Sequence, residues 1–367
     1  MLLDPRIVKM AQVLVGYSLG VQRGWVVTVS ATPAALPLVQ AVCREVIVAG
    51  AHPYVLLEAP GVREFLLQHG NDDQLTRVDP YQMLMVEHSD AILRIKSEDN
   101  TRSTSNVDPA RQGLYQKGSQ PVGAAFMQRI MDNRPHCLTL YPTNAYAQDA
   151  EMSLTEWEDF VFRACLLDGG DDPVARWLQV SREQQHIVNW LEGKKSARVE
   201  APGTDLRMSI EGRNFVNSDG KRNFPSGEVF TSPVEESVEG TIYFSYPASH
   251  NGRTVQGVRL SFEKGIVTEY SAEAGEDYLA AMLSLDEGAK RLGEFAIGTN
   301  KGVTRITRNV LFDEKIAGTI HCALGNGYPN AGGKNKSAIH WDIVTDMREG
   351  RIVVDGQTLY ENGAFVI

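Results

Sequence analysis

Along residues 1–150 the apolar positions alternate between a period near 3.6 and short β-branched runs. The spacing predicts helices over 5–19, 33–49, 62–69, 80–87 and about 122–131. Between them, 25–30 (WVVTVS), 53–58, 91–96 (AILRIK) and 137–141 (CLTLY) read as strands. Gly50 and Gly70 stand where two of the helices should stop. Strands alternating with helices of this length predict a mainly parallel, doubly wound sheet.

Beyond residue 151 the pattern changes. Ser153, followed three residues on by Glu156, is a capping-box signature opening a helix over 152–165, and a second helix is expected over 181–191. From Ala197 strand patterns dominate: ARVEAP, DLRMSIEG, TIYFSYP and GVRLSFEKGIVTEYSAE, with turns at Asn251-Gly252 and Lys264-Gly265. One helix, 276–290, interrupts them. The expected architecture is an α/β front domain with a mainly parallel sheet, residues 1–150. An α+β domain rich in antiparallel strands follows, residues 151–367, with the boundary between 147 and 195. No internal repeat or low-complexity linker separates them.

Composition narrows the classes. The chain has 367 residues, 43% hydrophobic and 22% charged, enough for two packed cores. A net charge of -10 repels nucleic acid and anionic membranes, so neither is expected as a partner. The four cysteines form no CxxC pair and predict no disulfide framework; on a strand, Cys322 would face away from His321 and into the core. The opening MLLDPRIVKMAQVLVGYSLG does not read as a signal peptide, and no run reaches the ~20 apolar residues of a membrane span. A cytoplasmic location is expected.

Several motifs fail on context. Gly16-Tyr17-Ser18-Leu19-Gly20 matches a nucleophile elbow, but it follows a helix pattern and precedes a strand, the reverse of the required order. The run GNGYPNAGGKNKS (325–337) has Gly333 where a phosphate loop needs lysine, and no G-x-G-x-x-G follows a front-half strand. There is no H-E-x-x-H helix. His52, His69, His88, His136, His186 and His250 have no acidic or histidine partners at ligand spacing.

The back half carries a more demanding set. In NKSAIHWD (335–342), His340 and Asp342 stand two apart, so a strand would turn both to one face. His321 and Tyr328 lie in LFDEKIAGTIHCALGNGY, and Glu228 and Glu294 each follow a glycine, in FPSGEVFTSP and LGEF. Singly, Glu228 reads as a turn carboxylate, Glu294 as a helix-end residue and His321 as a core histidine. Together, charges in such apolar surroundings cost on the order of several kcal/mol each unless paired, and metal coordination offsets that. Two histidines and three carboxylates suit zinc, cobalt or manganese better than calcium. Five donors exceed one tetrahedral site and point to two divalent ions, ~3.5–4 Å apart in such centres. Lys301, Arg305, Lys315, Lys334 and Lys336 lie nearby in sequence and read as a solvated face rather than a phosphate clamp.

These back-half motifs resemble those of the M29 peptidases, the aminopeptidase T/S metallopeptidases. YSLGVQRGWVV and AQDAEMSLTEWEDFVFRAC extend the likeness into the front half, so that it covers essentially the whole chain. The resemblance implies a metal-dependent aminopeptidase, typically a homodimer, acting on peptides with a free N-terminus, its catalytic domain in the back half. It implies Glu228, Glu294, His321, His340 and Asp342 as ligands of two ions and Tyr328 as the active-site tyrosine. Glu294 is the candidate base in that scheme, and Tyr328 the candidate donor to the oxyanion. The interval from Tyr328 to His340 looks shorter than in many members, which bears on specificity. Two alternatives are an inactive relative that binds metal or a small ligand, and a dinuclear hydrolase of non-peptide substrates.

Overall fold

A computed structural model describes residues 4–170, 172–250 and 252–367. The chain divides into two compact units, Met1–Arg176 with Gly220–Pro225, and Trp177–Asp219 with Ser226–Ile367.

The front unit is built on a five-stranded, wholly parallel sheet. Val26–Ala31 lies between His52–Leu57 and Ala91–Lys96; His136–Leu140 and Asn223–Phe224 complete that side. The β-branched run of Val26–Ala31 is buried from Val27 on, as a central strand covered on both faces requires. The expected mainly parallel sheet is therefore present. The chain over 5–19 begins as the α-helix Pro5–Gln12 and widens to a π-turn, Val13–Ser18. Ser18 of the elbow-like motif lies on that turn, before a strand and not after one. The expected helix at 122–131 is the last part of a 23-residue helix, Pro109–Met131, capped by the Asp108 side chain on Ala110 N–H. Gly113, Gly118 and Pro121 break its apolar period and hid its first half.

In the back unit an eight-stranded antiparallel sheet runs from Ile266–Ser271 at one edge to Ala364–Phe365 at the other. Alternation marks its strands, as in Thr204–Ser209, where buried and exposed residues take turns. The Lys264-Gly265 turn is present, both residues at positive φ, the conformation of a tight hairpin. The expected turn at Asn251-Gly252 lies partly outside the described residues. The Ser153–Glu156 capping box is made as expected. The helix over 181–191 begins earlier, at Pro173, and 276–290 divides into Glu276–Leu283 and a single 3-10 turn, Gly288–Lys290.

The second sheet of this unit has five antiparallel strands, ordered His340–Asp346, Thr319–Gly325, Leu292–Gly298, Glu228–Thr231 and Val216–Ser218. One face packs Val229, Phe295, Ile297, Ile320, Cys322, Leu324, Trp341 and Ile343 into the main core. Cys322 is thus a core thiol, as the strand pattern predicted. No helix among the described residues is long and apolar enough to cross a membrane.

Candidate metal centre

Strand register explains how residues distant in sequence meet. Glu228 pairs across to Gly298, Glu294 to Ala323, Ala296 to His321, Ala323 to Asp342 and Gly325 to His340. Paired residues share a face, and so do residues two apart. Glu228, Glu294, His321, His340 and Asp342 therefore occupy one face, opposite the apolar core. The positions between them are small, Ala296, Gly298, Ala323 and Gly325, which leaves room above the sheet. Register slips by one residue between Leu292 and Glu294. Gly293 makes that bulge possible, because a Cβ there would lie 2.4 Å from Gly325 O and 2.3 Å from Asn326 O. Without the slip Leu292, a core residue, and Glu294, two apart, would share a face.

The five side chains converge. His321 Nε2 lies 3.6 Å from Glu228 Oε2, 3.7 Å from Glu294 Oε1 and 3.9 Å from Asp342 Oδ1. His340 Nε2 lies 3.1 Å from Glu294 Oε2 and 3.4 Å from Asp342 Oδ1. Glu294 thus presents one oxygen to each histidine. Donor atoms of Glu228, Glu294 and His321, and those of Glu294, His340 and Asp342, fall within 4.8 Å of one another in each set. His321 is 1% exposed, Glu294 3% and Glu228 4%. Despite this burial, Glu228 Oε2, Asp342 Oδ1 and both ring nitrogens of His321 have no hydrogen-bond partner among the described residues. Buried polar atoms are ordinarily satisfied, so a converging orphaned set fits a divalent ion in chemistry and in position.

The surroundings orient these donors. His340 Nδ1 lies 2.8 Å from Asn326 O, and a carbonyl there requires the ring proton on Nδ1, leaving Nε2 free as a ligand atom. Gln184, on the helix Pro173–Leu191, donates to Glu228 O at 3.0 Å and accepts from Thr299 Oγ1 at 2.8 Å, fixing the start of the Glu228 strand. Burial alone would lower His321 and His340, but Glu294 and Glu228 around the first, and Asp342 and Glu294 around the second, raise them to about 9 and about 12. Burial would raise Asp342, yet His340 and His321 hold it well below the ordinary carboxylate range. Glu294 is likewise lowered, the two histidines beside it outweighing burial.

Tyr328 sits at the rim, partly exposed. Its ring lies 4.9 Å from that of His340, edge-on, and 5.1 Å from that of Phe230. Ser232 Oγ accepts from Tyr328 N–H at 3.1 Å and donates to Gly293 O at 2.6 Å, tying the tyrosine loop to the bulge. Burial and then the charges of Glu294 and Asp342 push the phenol well above its ordinary value, so it keeps its proton. Of the neighbours, Asn335 donates to Gly325 O and Gly288 O, Ser337 to Asp286, and Trp341 packs in the core beside Tyr278 and His250.

Two residues of the site escaped the sequence reading. Glu314 brings a carboxylate within 4.8 Å of donor atoms of His321 and Asp342. Lys315, expected on a solvated face, is instead 1% exposed; its Nζ lies 2.6 Å from Glu228 Oε1 and also bonds Glu314. Its burial follows from those two countercharges. The signal was the charged pair Glu314-Lys315 set directly before the apolar run IAGTIHCAL.

Comparison with known proteins identifies the family. Residues 3–365 match the family described as thermophilic metalloprotease (M29). Aminopeptidase 2 of Geobacillus stearothermophilus is 29% identical, over 95% of this chain and 93% of its own length. Aminopeptidase T of Thermus thermophilus is 32% identical over 56% of this chain and 55% of its own. The solved structure of wild-type AmpT from Thermus thermophilus superposes with a TM-score of 0.87 at 23% identity, covering 99% of both chains, and shows the same fold. The chain belongs to the M29 family of thermophilic metalloproteases.

Proposed function

We propose that this chain is a metal-dependent aminopeptidase with a dinuclear centre, removing N-terminal residues from peptides by hydroxide attack. The observation that carries the reading is a pair of donor sets sharing Glu294, with orphaned buried atoms in both. Glu228 and His321 would hold one ion and His340 and Asp342 the other, with Glu294 between them. When bound, two divalent ions (zinc, cobalt or manganese) would supply the chemistry of a hydroxide near neutral pH and a polarised scissile carbonyl.

The chain's own groups do the rest. Glu294, facing both histidines, is the candidate that would take the nucleophile's proton and pass it to the leaving amine. Tyr328, protonated and at the rim, would donate its phenolic hydrogen to the oxyanion. The small residues of this face leave space for substrate beside the donors, and the short loop from Tyr328 to His340 would border that space. Assembly as a homodimer belongs to the same reading and is tested by light scattering.

The test is hydrolysis of aminoacyl chromogenic amides, before and after chelation and after restoring single metals. N-acetylated amides should resist cleavage. Hydrolysis of phosphoesters but not amides would favour a different dinuclear hydrolase, and metal uptake without turnover an inactive relative.

A further inference from the structure

Lys315 is a buried cation among the proposed ligands, at 1% exposure. Its Nζ takes one oxygen of Glu228, Oε1 at 2.6 Å, and one of Glu314, also Oε1. The other oxygen of Glu228, Oε2, is the buried orphan that faces His321 Nε2 at 3.6 Å. A carboxylate whose second oxygen is held by an ammonium reaches a metal through one oxygen only. The same ammonium holds Oε1 of Glu314, whose carboxylate lies within 4.8 Å of donor atoms of His321 and Asp342, so that it too can offer a metal at most one oxygen. We propose that Lys315 sets metal preference: as a fixed internal cation it withholds carboxylate oxygens, keeping the site poor in oxygen donors and selective for ions that accept imidazole.

The chemistry gives the sign. Calcium takes six to eight oxygen ligands and gains from bidentate carboxylates, whereas zinc is satisfied by about four mixed donors. With the ammonium gone, Glu228 regains Oε1, Glu314 is freed, and a positive charge leaves the site. The charge change favours every divalent ion; the added oxygens favour calcium in particular.

This inference rests on the metal-site reading above, and one experiment separates the two. Metal-free full-length protein is titrated with zinc and with calcium by calorimetry, for wild type, Lys315→Met and the double variant Lys315→Met/Glu314→Gln. In the double variant Glu228 still regains its oxygen, but the stranded charge is removed, so it serves if the single variant does not fold. For Lys315→Met, calcium affinity should rise about tenfold more than zinc affinity, and for the double variant by a smaller factor in the same direction. An unchanged calcium-to-zinc ratio in the folded variants overturns the role of Lys315. Failure of the wild type to bind zinc at all overturns instead the metal site itself.

Discussion

In the front unit His136 is packed beside Arg222, whose Nη1 donates to its Nδ1 at 2.9 Å, and burial together with that cation lowers it to about 4. In the back unit His321 is more deeply buried, yet Glu294, Glu228 and Asp342 outweigh burial and raise it to about 9. The two units treat buried cations differently as well. Arg129, 2% exposed, donates to the carbonyls of Ser89 and Asp90 at 2.6 Å and of Pro135 at 3.0 Å. Those partners are backbone groups that need donors, so Arg129 stitches loops together. Lys315 and the histidines face carboxylates that remain incompletely satisfied. Burial by itself does not mark a site; convergent, unsatisfied ligand atoms do.

The sharpest break in this contrast comes from Glu294. Glu294→Gln should lower kcat on the order of 10²–10⁴-fold and reduce bound metal, because one side chain faces both histidines. Full metal content by elemental analysis would remove its shared role. Tyr328→Phe comes next: a drop of roughly 10²–10³-fold in kcat, with little change in KM and none in metal content. Near-normal turnover would reduce Tyr328 to a loop anchor.

How much of this was legible depended on where the signal lay. A shared face could be anticipated for His340 and Asp342, two apart on a strand, whereas Glu228 read as a turn carboxylate and Glu294 as a helix-end residue. That Glu228 and Glu294 join the same face depends on strand pairing and on the bulge at Gly293, which no local pattern encodes. Lys315 was misread because a lysine is ordinarily solvated; its two countercharges come from its neighbour Glu314 and from Glu228, 87 residues away. In the front unit the strands were plain from their β-branched runs, whereas glycines and a proline concealed half of Pro109–Met131.

The pH dependence sharpens the contrast between the histidines. In metal-free protein His321 is raised from about 6.5 to about 9, so its contribution to stability is complete below about pH 6.5 and is lost as pH rises through about 9. Metal must displace that proton, so metal affinity should climb across the same window. His136 has the opposite sign: its contribution is present above about pH 6.5 and is lost as pH falls through about 4. Thermal melts across pH, with and without metal, check both. Stabilisation by metal that is flat from pH 6.5 to 9 would contradict the assignment of His321.

Arg129→Met separates stability from the site. Leaving its carbonyl partners without a donor should cost roughly 1–3 kcal/mol in chemical denaturation, while metal content stays that of the wild type. Loss of metal would mean that the front unit's buried cation supports the centre after all.

The most direct measurement is anomalous diffraction at the zinc edge from crystals of the metal-loaded protein. Two peaks ~3.5–4 Å apart are expected, with Glu294 between them and His321 Nε2 and His340 Nε2 each about 2.0–2.1 Å from a different ion. A single peak, or peaks away from these side chains, would contradict the dinuclear centre.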